Sequence, residues 1–578
     1  MTACYRKRNK VFYVPLEKGI LKHVSMQEAL QKIKSSPVYP VLLVLVAFLY
    51  WINFDVNDIW TENESYYTEA VREMFESGNF IDIHYNYEPR FNKPPLTYWI
   101  IASSVALFGN NEFAARLPIL ILAFLTTILT YKTVRLLHGE ETAVLAFAMQ
   151  AVSIQFMAGK QYASPEIPLA FFFSLTMYWF IQGRITRNSL YTLLAGTALG
   201  LTILTKGYPY FIIIGGIIVL YLLIDTAVDR KKLIQELKSL HLPVTIPLAL
   251  LIGGSWIAVM YFSHGDEFTA VLKKETIDRA LTEKTNGLRD LLFYPEVILW
   301  SFFPYSLVFY ASLGSTLLSG KRIRNVSFAF SWFFVMLVIF TMAKGKIPTY
   351  FIQAHPAMAI MASCYLVALS PEDKRKNIIV QWFLLIPALL AVAAGALMIP
   401  VFELPPLLYA IPLVALAVIT LPYLLPAHHR HRRILIYLQP FSGTYAALLV
   451  MSLGVMPQLE QFRLYDKIGA AIKSTPSIST DLPIYLQDDR LHNLPYYAER
   501  RVIYKADPEE VQQLDGPVLA LLRSRDITPE NRKHVIWSGK VYRWISSESR
   551  LMIYIRNHLK AKNGDFSGYI DYSLLYRE

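Results

Sequence analysis

Residues 37–53 read PVYPVLLVLVAFLYWIN, an apolar run that is close to the length a helix needs to cross a membrane. A hydrocarbon core about 30 Å thick requires roughly 20 predominantly apolar residues in a helix. The preceding residues 1–36 are polar and basic, without an apolar core or a small-residue cleavage site. We therefore expect no cleavable signal peptide and a cytoplasmic N-terminal segment, followed by the first membrane span.

The composition of the chain supports a membrane protein. Of its 578 residues, 54% are apolar and only 17% are charged. The net charge of +12 resides in short basic runs between apolar segments, which argues against a nucleic-acid partner and favours anchoring of the topology. The chain has two cysteines, Cys4 in the polar N-terminal segment and Cys364 inside an apolar span. Neither a disulfide nor a thiolate metal site follows from them.

Further apolar stretches bring the candidate spans to about thirteen. Several of them are short or have uncertain ends, and together they define a predicted transmembrane domain over residues 37–456. The candidate spans are approximately 37–53, 117–135, 142–158, 166–183, 190–204, 208–226, 243–263, 292–319, 326–343, 348–369, 379–401, 404–425 and 436–456.

The basic residues between these spans predict the orientation. Short cytoplasmic loops carry an excess of Lys and Arg. If the N-terminus is inside, the six even-numbered connections are cytoplasmic, and all six are basic. They contain Lys132 and Arg135, Arg184 and Arg187, Arg230 to Lys232, Lys321 to Arg324, Lys374 to Lys376, and Arg430 to Arg433. The first long connection, 54–116, and the residues after about 457 are then outside.

Two further helices are expected in the first outer loop. The apolar stretch 94–108 is too short for a span, and counting it as a crossing would place every later basic loop outside. It is better interpreted as a helix along the outer interface, next to a short amphipathic helix over 65–76. The polar residues 457–578 contain β-like runs at 482–486 and 518–521. We expect a small α/β domain there, on the periplasmic side.

Polar and ionisable side chains gather on the predicted outer face. Such groups at a membrane boundary are costly unless paired, hydrated or used, so they indicate a functional site. Lysines at helix ends can also extend to the interface without any function. Lysines on the outer side nevertheless run against the usual bias, and an anionic ligand there would explain them. The cluster contains Asp55, Asp58, Glu62, Asn63, Glu64, Arg90, Asn92, Lys93, Glu166, Lys206, Arg279, Lys344 and Lys346.

The first outer loop resembles that of a known enzyme family. The matching runs are NESYYTEAVREM at 63–74, SGNF at 77–80, RFNKPPLTYW at 90–99 and AARLP at 114–118. Later pieces follow in the same order: Lys206-Gly207 at a helix mouth, Glu275 to Arg279, and KIPTY at 346–350. Together they resemble bacterial GT-C glycosyltransferases, the lipid A aminoarabinose transferases and protein O-mannosyltransferase relatives. The resemblance covers about 1–456 and implies the all-α GT-C membrane fold.

This resemblance implies an inverting glycosyltransferase of the bacterial inner membrane with its active site facing the periplasm. Its donor would be a polyprenyl-phosphate sugar, and its acceptor lipid A, another glycolipid or a protein. The leaving phosphodiester oxygen becomes part of a phosphate dianion, which aimed cations stabilise. Lys93 and Arg279 match the family's phosphate-binding cations, and Tyr350 matches a hydrogen-bond donor. Lys206 and Lys346 are further candidates.

The family pattern leaves two candidates for the carboxylate that acts on the acceptor. The family commonly has Asp-Glu where this chain has Asn63-Glu64, and an amide cannot be a general base. We therefore predict Glu64 as the acting acid, with Glu62 as the alternative. An acceptor phosphate, already ionised, would need no strong base. The resemblance also assigns supporting roles to Tyr67, Arg116, Glu166 and Asn92.

Two other interpretations of the sequence concern metals and transport. Asn92 replaces a family Glu that helps to bind a metal in some members, and Lys274 stands at the position of its His partner, so a divalent metal cofactor is doubtful. The tract His428-His429-Arg430-His431 is read as a solvated cytoplasmic anchor. A flippase of polyprenyl-linked glycans would need ionisable residues at mid-span and pseudo-symmetric halves, which the sequence lacks. A protein O-mannosyltransferase is the alternative enzyme.

Overall fold

The computed structural model describes residues 37–59, 61–278, 288–426, 432–489, 491–542 and 551–578. The predicted N-terminal segment 1–36, the histidine tract at 428–431 and Arg279 lie outside these ranges. Helices dominate up to residue 462, and a β-sheet follows in the C-terminal part of the chain.

The segment predicted as the first outer loop, a name kept below, lies between two apolar helices, α1 (Val38–Trp51) and α4 (Glu112–His138). It contains α2 (Glu62–Ser77), a two-stranded hairpin of β1 (His84–Tyr85) and β2 (Glu88–Pro89), and α3 (Leu96–Phe108). The hydroxyl of Thr61 caps α2 by accepting a hydrogen bond from the Glu64 amide at 3.1 Å. Asn111 caps α4 in the same way. The two extra helices expected in this loop are thus present.

The remaining membrane domain is a series of helices. They are α5 (Glu140–Val152), α6 (Ile154–Gly159), α7 (Glu166–Thr186), α8 (Ser189–Lys206), α9 (Pro209–Asp225), α10 (Arg230–Ser239), α11 (Leu242–Lys273), α12 (Leu288–Ser301), α13 (Ser306–Leu317), α14 (Gly320–Asn325), α15 (Ser327–Met342), α16 (His355–Val367), α17 (Lys374–Val401), α18 (Ala410–Leu424), α19 (Arg432–Tyr437), α20 (Gln439–Val450) and α21 (Met456–Leu459). A π-helical turn, Lys274–Asp278, follows α11, and a 3₁₀ segment, Pro348–Ala354, precedes α16.

The apolar helices have the length and surface of membrane spans. Within the described ranges, six helical stretches are long and apolar enough to cross a bilayer, and five apolar helices are shorter. Large apolar side chains such as Leu251, Phe262 and Leu413 are more than half exposed, a surface suited to lipid. The prediction of a helical, multi-pass membrane protein is confirmed. The number of thirteen spans stays a prediction.

Helix α11 packs closely against α8 because glycines face the contact. A Cβ added to Gly253 would lie 2.6 Å from the Cβ of Ile203, and one added to Gly200 would lie 2.9 Å from the Ala249 carbonyl oxygen. Small residues permit such close backbone approach between membrane helices. This contact holds the middle of α11 beside the C-terminal end of α8, where the candidate site lies.

The C-terminal residues contain a five-stranded mixed sheet in the order β4-β3-β5-β7-β6. Its strands are β3 (Ile484–Leu486), β4 (Val502–Tyr504), β5 (Val518–Arg523), β6 (Val535–Tyr542) and β7 (Tyr569–Arg577). The accompanying helices are α22 (Tyr465–Lys473), α23 (Leu494–Ala498), α24 (Pro508–Gln513) and α25 (Leu551–Lys562). Strand β3 is parallel to β4 and β5, whereas β7 is antiparallel to β5 and β6.

The C-terminal region docks directly onto the first outer loop. The side chain of Asn86 exchanges two hydrogen bonds with the Val502 backbone, at 2.8 and 2.7 Å. Arg463 and Asp58 form a buried ion pair across the same boundary. These contacts fix α2 and its preceding turn between the membrane helices and the sheet.

Candidate functional site

A cavity of about 270 Å³ lies between residues 91–94 of the first outer loop, the C-terminal ends of α8 and α15, the first turns of α9, and α11. It combines basic groups with apolar walls, so it suits a ligand that has both a charged and a hydrocarbon part. The cavity is lined by Phe91, Asn92, Lys93, Pro94, Lys206, Gly207, Pro209, Tyr210, Ile212, Ile213, Trp256, Ile257, Leu272, Glu275, Ile339, Phe340, Ala343, Gly345 and Tyr350.

Lys93 reaches this cavity from the residues just before α3. Pro94 and Pro95 follow it and restrict the backbone that leads into the helix. Its Nζ donates to Glu275 Oε2 at 2.7 Å, and about one fifth of each of the two side chains is exposed. Glu275 lies in the π-helical turn Lys274–Asp278. The predicted phosphate-binding lysine is therefore bound to a carboxylate in this structure.

Lys206 contributes the second cation of the cavity. It is the last residue of α8, where Gly207 takes a φ of 108° and turns the chain. Its Nζ donates to Glu166 Oε1 at 2.9 Å and lies 5.3 Å from the centre of the Tyr350 ring. Glu166 begins α7, where the helix dipole favours a negative charge. Lys206, Glu166 and Tyr350 thus form one connected group.

Asn63 joins this group from α2. Its side chain is exposed, and its Nδ2 lies 3.4 Å from Glu166 Oε2. The position at which the family commonly has an Asp is therefore next to the Lys206–Glu166 pair. An aspartate at this position would face the Glu166 carboxylate, and like charges at this distance repel. The amide instead donates a hydrogen bond to it.

Glu64 is engaged elsewhere. Its carboxylate is fully buried and accepts from Arg116 Nε at 2.8 Å and Nη2 at 3.0 Å, and from the Ala163 amide at 3.0 Å. Arg116 also donates to the carbonyl oxygens of Asn57 and Asp58. Glu64 does not line the cavity. Its catalytic assignment stays a prediction, and its surroundings are those of a residue that holds the loop together.

Glu62 has a more open environment. Tyr66 Oη donates to Glu62 Oε1 at 2.5 Å, and His492 Nε2 from the C-terminal region lies 3.7 Å from the same oxygen. Burial and the Glu62 carboxylate raise the pKa of Tyr66 far above its ordinary value, so the phenol stays protonated. Arg90 lies over the Tyr66 ring, 3.8 Å from its centre. Glu62 therefore lies in a polar cluster between α2 and the C-terminal region.

The other predicted site residues divide into two groups. Asn92 and Tyr350 line the cavity beside the two lysines. Tyr67 is buried, stacks on Tyr98 with ring centres 4.3 Å apart and is not among the lining residues. Lys346 turns to the backbone, where its Nζ donates to the Ala343 carbonyl oxygen at 2.6 Å. In the described parts of the chain, His, Cys, Asp and Glu form no group of three that could hold a metal ion.

Glu275 is a cavity residue to which the sequence assigned no role. Glu275 is the first residue of the matching piece that ends at Arg279. A lone glutamate in a predicted outer loop does not indicate which cation it pairs with. Trp256 and Phe340 were equally hidden among membrane-packing aromatics.

Comparison with known proteins gives relatives over most of the chain. An uncharacterized protein of Aquifex aeolicus (strain VF5) is 32% identical over 514 residues, covering 88% of this chain and 94% of that protein. The family described as dolichyl-phosphate-mannose-protein mannosyltransferase matches residues 92–256. An undecaprenyl phosphate-alpha-4-amino-4-deoxy-L-arabinose arabinosyl transferase of Pseudomonas fluorescens is 26% identical over 375 residues, 63% of this chain. That alignment spans 62% of the relative, less than two thirds of its length.

The solved structures agree in fold. ArnT from Cupriavidus metallidurans, in a crystal structure with undecaprenyl phosphate, superposes with a TM-score of 0.68 at 21% identity, covering 85% of this chain and 94% of ArnT. This chain belongs to the GT-C glycosyltransferases of the ArnT and protein O-mannosyltransferase type. The predicted family and enzyme class are confirmed, and the flippase alternative is not supported. In this GT-C glycosyltransferase, the cavity with Lys93 and Lys206 is the candidate active site.

Proposed function

We propose that this GT-C glycosyltransferase transfers a sugar from a polyprenyl-phosphate donor to lipid A or another envelope glycan or lipid. Transfer would take place on the periplasmic face of a bacterial inner membrane. One observation carries the proposal: a single cavity joins Lys93 and Lys206 to a wall of apolar side chains. A donor with an anionic phosphate and a long hydrocarbon tail has the same two chemical halves.

The two lysines are proposed to bind the donor's phosphate. When the bond from the anomeric carbon to the phosphate oxygen breaks, negative charge grows on the phosphate, and nearby cations stabilise it. Lys93 and Lys206 line the cavity, and Tyr350 adds a phenolic donor on the same wall. Arg279, four residues after Glu275, is proposed to complete this group on the strength of the family resemblance. Lys346, bound to a carbonyl oxygen, is a weaker candidate.

The acceptor's proton is proposed to pass to a carboxylate of the first outer loop. Glu62 is the more accessible of the two candidates, because it is partly exposed and accepts a hydrogen bond from Tyr66, whereas Glu64 has both oxygens bound to Arg116; neither carboxylate lines the cavity. Asn63 and Glu166 would position Lys206 rather than accept a proton. An acceptor phosphate would make this step unnecessary, because it arrives already ionised.

The relatives support a lipid-linked donor and leave two kinds of acceptor. The Pseudomonas relative is named for transfer from an undecaprenyl-phosphate aminoarabinose, and ArnT was crystallised with undecaprenyl phosphate. The family that matches residues 92–256 is named for protein mannosylation from a dolichyl-phosphate donor, so a protein acceptor is the second candidate.

Direct assay separates these acceptors. Membranes that contain the protein are expected to transfer sugar from a synthetic polyprenyl-phosphate sugar, and membranes with the Lys93→Ala variant are the matched control. Mass spectrometry of lipid A, glycolipids and glycoproteins from a deletion strain and its parent should show one fraction losing a sugar. Loss from the glycoproteins would select the mannosyltransferase-like function. No change in any fraction, together with no transfer in vitro, would refute the proposed reaction.

The proposed topology places residues 54–116 and 457–578 in the periplasm and the loop around 227–242 in the cytoplasm. Single cysteines can be introduced at exposed positions in a background without Cys4 and Cys364: Asn79→Cys, Ser479→Cys and Lys231→Cys. In spheroplasts, an impermeant maleimide should label the first two and label Lys231→Cys only after the membrane is permeabilised. Labelling of Lys231→Cys in intact spheroplasts would show that the predicted orientation is wrong.

A further inference from the structure

Glu275 is the one acidic side chain among the described residues that line the cavity. Its carboxylate lies 2.7 Å from the Nζ of Lys93, and both side chains are partly exposed to the cavity. The residue lies in the π-helical turn Lys274–Asp278, a local distortion of a kind that is frequent at functional sites. The Glu275 carboxylate is thus paired with Lys93, the cation that binds the donor's phosphate in the proposed function.

The position of Glu275 argues against a role as the general base. In an inverting transfer the acceptor attacks the anomeric carbon from the face opposite to the leaving phosphate. A carboxylate that is paired directly with the phosphate-binding lysine lies on the leaving-group side. It is therefore poorly placed to take a proton from the acceptor. At Lys93 the carboxylate can instead compete with another anion for the ammonium group.

We propose that Glu275 is an internal competitor of the donor and product phosphates at Lys93. This inference rests on the proposed function. The donor phosphodiester carries one negative charge, whereas the product phosphomonoester approaches two near neutral pH, because its second pKa is about 6. Lys93 would therefore hold the product more tightly than the donor. When the Glu275 carboxylate pairs with Lys93 again, it weakens the binding of the product phosphate and promotes release of the product.

The binding of a short-chain polyprenyl monophosphate to the purified full-length protein tests the proposal. Glu275→Gln removes the competing charge, and the variant should bind this probe roughly one-and-a-half- to fivefold more tightly than wild type, as expected for the loss of a part-exposed ion pair. Product release should slow, giving a burst of the first turnover and a lower kcat. Glu267→Gln is the matched control, because it makes the same charge change at an exposed position of α11. It should bind like wild type.

A double-mutant cycle shows whether the gain passes through Lys93. In a Lys93→Ala background, Glu275→Gln should give no tighter binding, because the cation for which the carboxylate competes is gone. Equal or weaker binding of Glu275→Gln in the wild-type background would overturn the inference, as would a gain that persists without Lys93. If wild-type protein fails to bind the probe at all, the proposed function itself falls, and the competitor role falls with it.

Discussion

Replacing Lys93 by Ala is expected to lower glycosyl transfer by roughly 30- to 1,000-fold, equivalent to about 2–4 kcal/mol of lost transition-state stabilisation. The ammonium of Lys93 lies in the cavity next to residues that would surround the leaving phosphate. Charge develops on that phosphate during bond cleavage, in a site partly shielded from water, where a fixed cation has its largest effect. The measurement is turnover of a synthetic polyprenyl-phosphate sugar by purified protein.

The controls for Lys93→Ala separate chemistry from general charge and folding. Lys273→Ala removes a cation from the exposed end of α11, outside the cavity lining, and should retain near-normal turnover. Arg279→Ala should resemble Lys93→Ala if the family's second phosphate-binding cation is correctly placed. Expression and thermal unfolding of Lys93→Ala should match wild type. Near-normal turnover in both Lys93→Ala and Arg279→Ala would remove these residues from the active site.

Replacing Arg116 by Met is expected to destabilise the protein by about 3–5 kcal/mol, the usual cost of leaving a buried charge without its partner. Arg116 and Glu64 are both almost completely buried, and Arg116 also holds the carbonyl oxygens of Asn57 and Asp58. Membrane proteins often unfold irreversibly, so the half-life of the folded protein at a fixed temperature in detergent is the suitable measure. This half-life should shorten sharply in Arg116→Met.

A double variant tests the physical cause. Arg116→Met combined with Glu64→Leu removes both charges, and it should recover part of the lost half-life, because no unpaired charge stays buried. An unchanged half-life in Arg116→Met, together with a loss of transfer, would instead place the pair in the chemistry of the reaction.

Gln variants of Glu64 and Glu62 distinguish between the two candidate carboxylates. Glu64→Gln should shorten the half-life while the surviving folded protein keeps transferring, whereas Glu62→Gln should keep its half-life and lose transfer, because an amide cannot accept the proton. The reverse pattern would return the catalytic role to Glu64, as the family pattern predicts. Asn63→Asp completes the set by restoring the family's common acid. Survival of transfer in both Gln variants would indicate an acceptor phosphate.

The sequence by itself determined the membrane class, the helical fold and the main members of the cavity. Apolar length and the placement of basic residues follow from the thickness and electrostatics of the bilayer, which act on each segment separately. Helix α3 of the first outer loop could be found for the same reason, and α2 could be found from its amphipathic pattern. Lys93, Lys206 and Tyr350 were identified because they lie in runs that resemble the family, and the structure places all three on one cavity.

Only the tertiary structure decided which charge meets which. Glu64 pairs with Arg116, 52 residues away, and Lys93 pairs with Glu275, 182 residues away. In the sequence, any outer carboxylate is an equal partner for any outer cation, since the Coulomb attraction between them depends on distance and on the local dielectric. The distance and the local dielectric are both set by the packing of α2, α4 and α11 and by the C-terminal region docked onto the first outer loop. That packing buries Glu64 against Arg116 and leaves Glu275 exposed to the cavity.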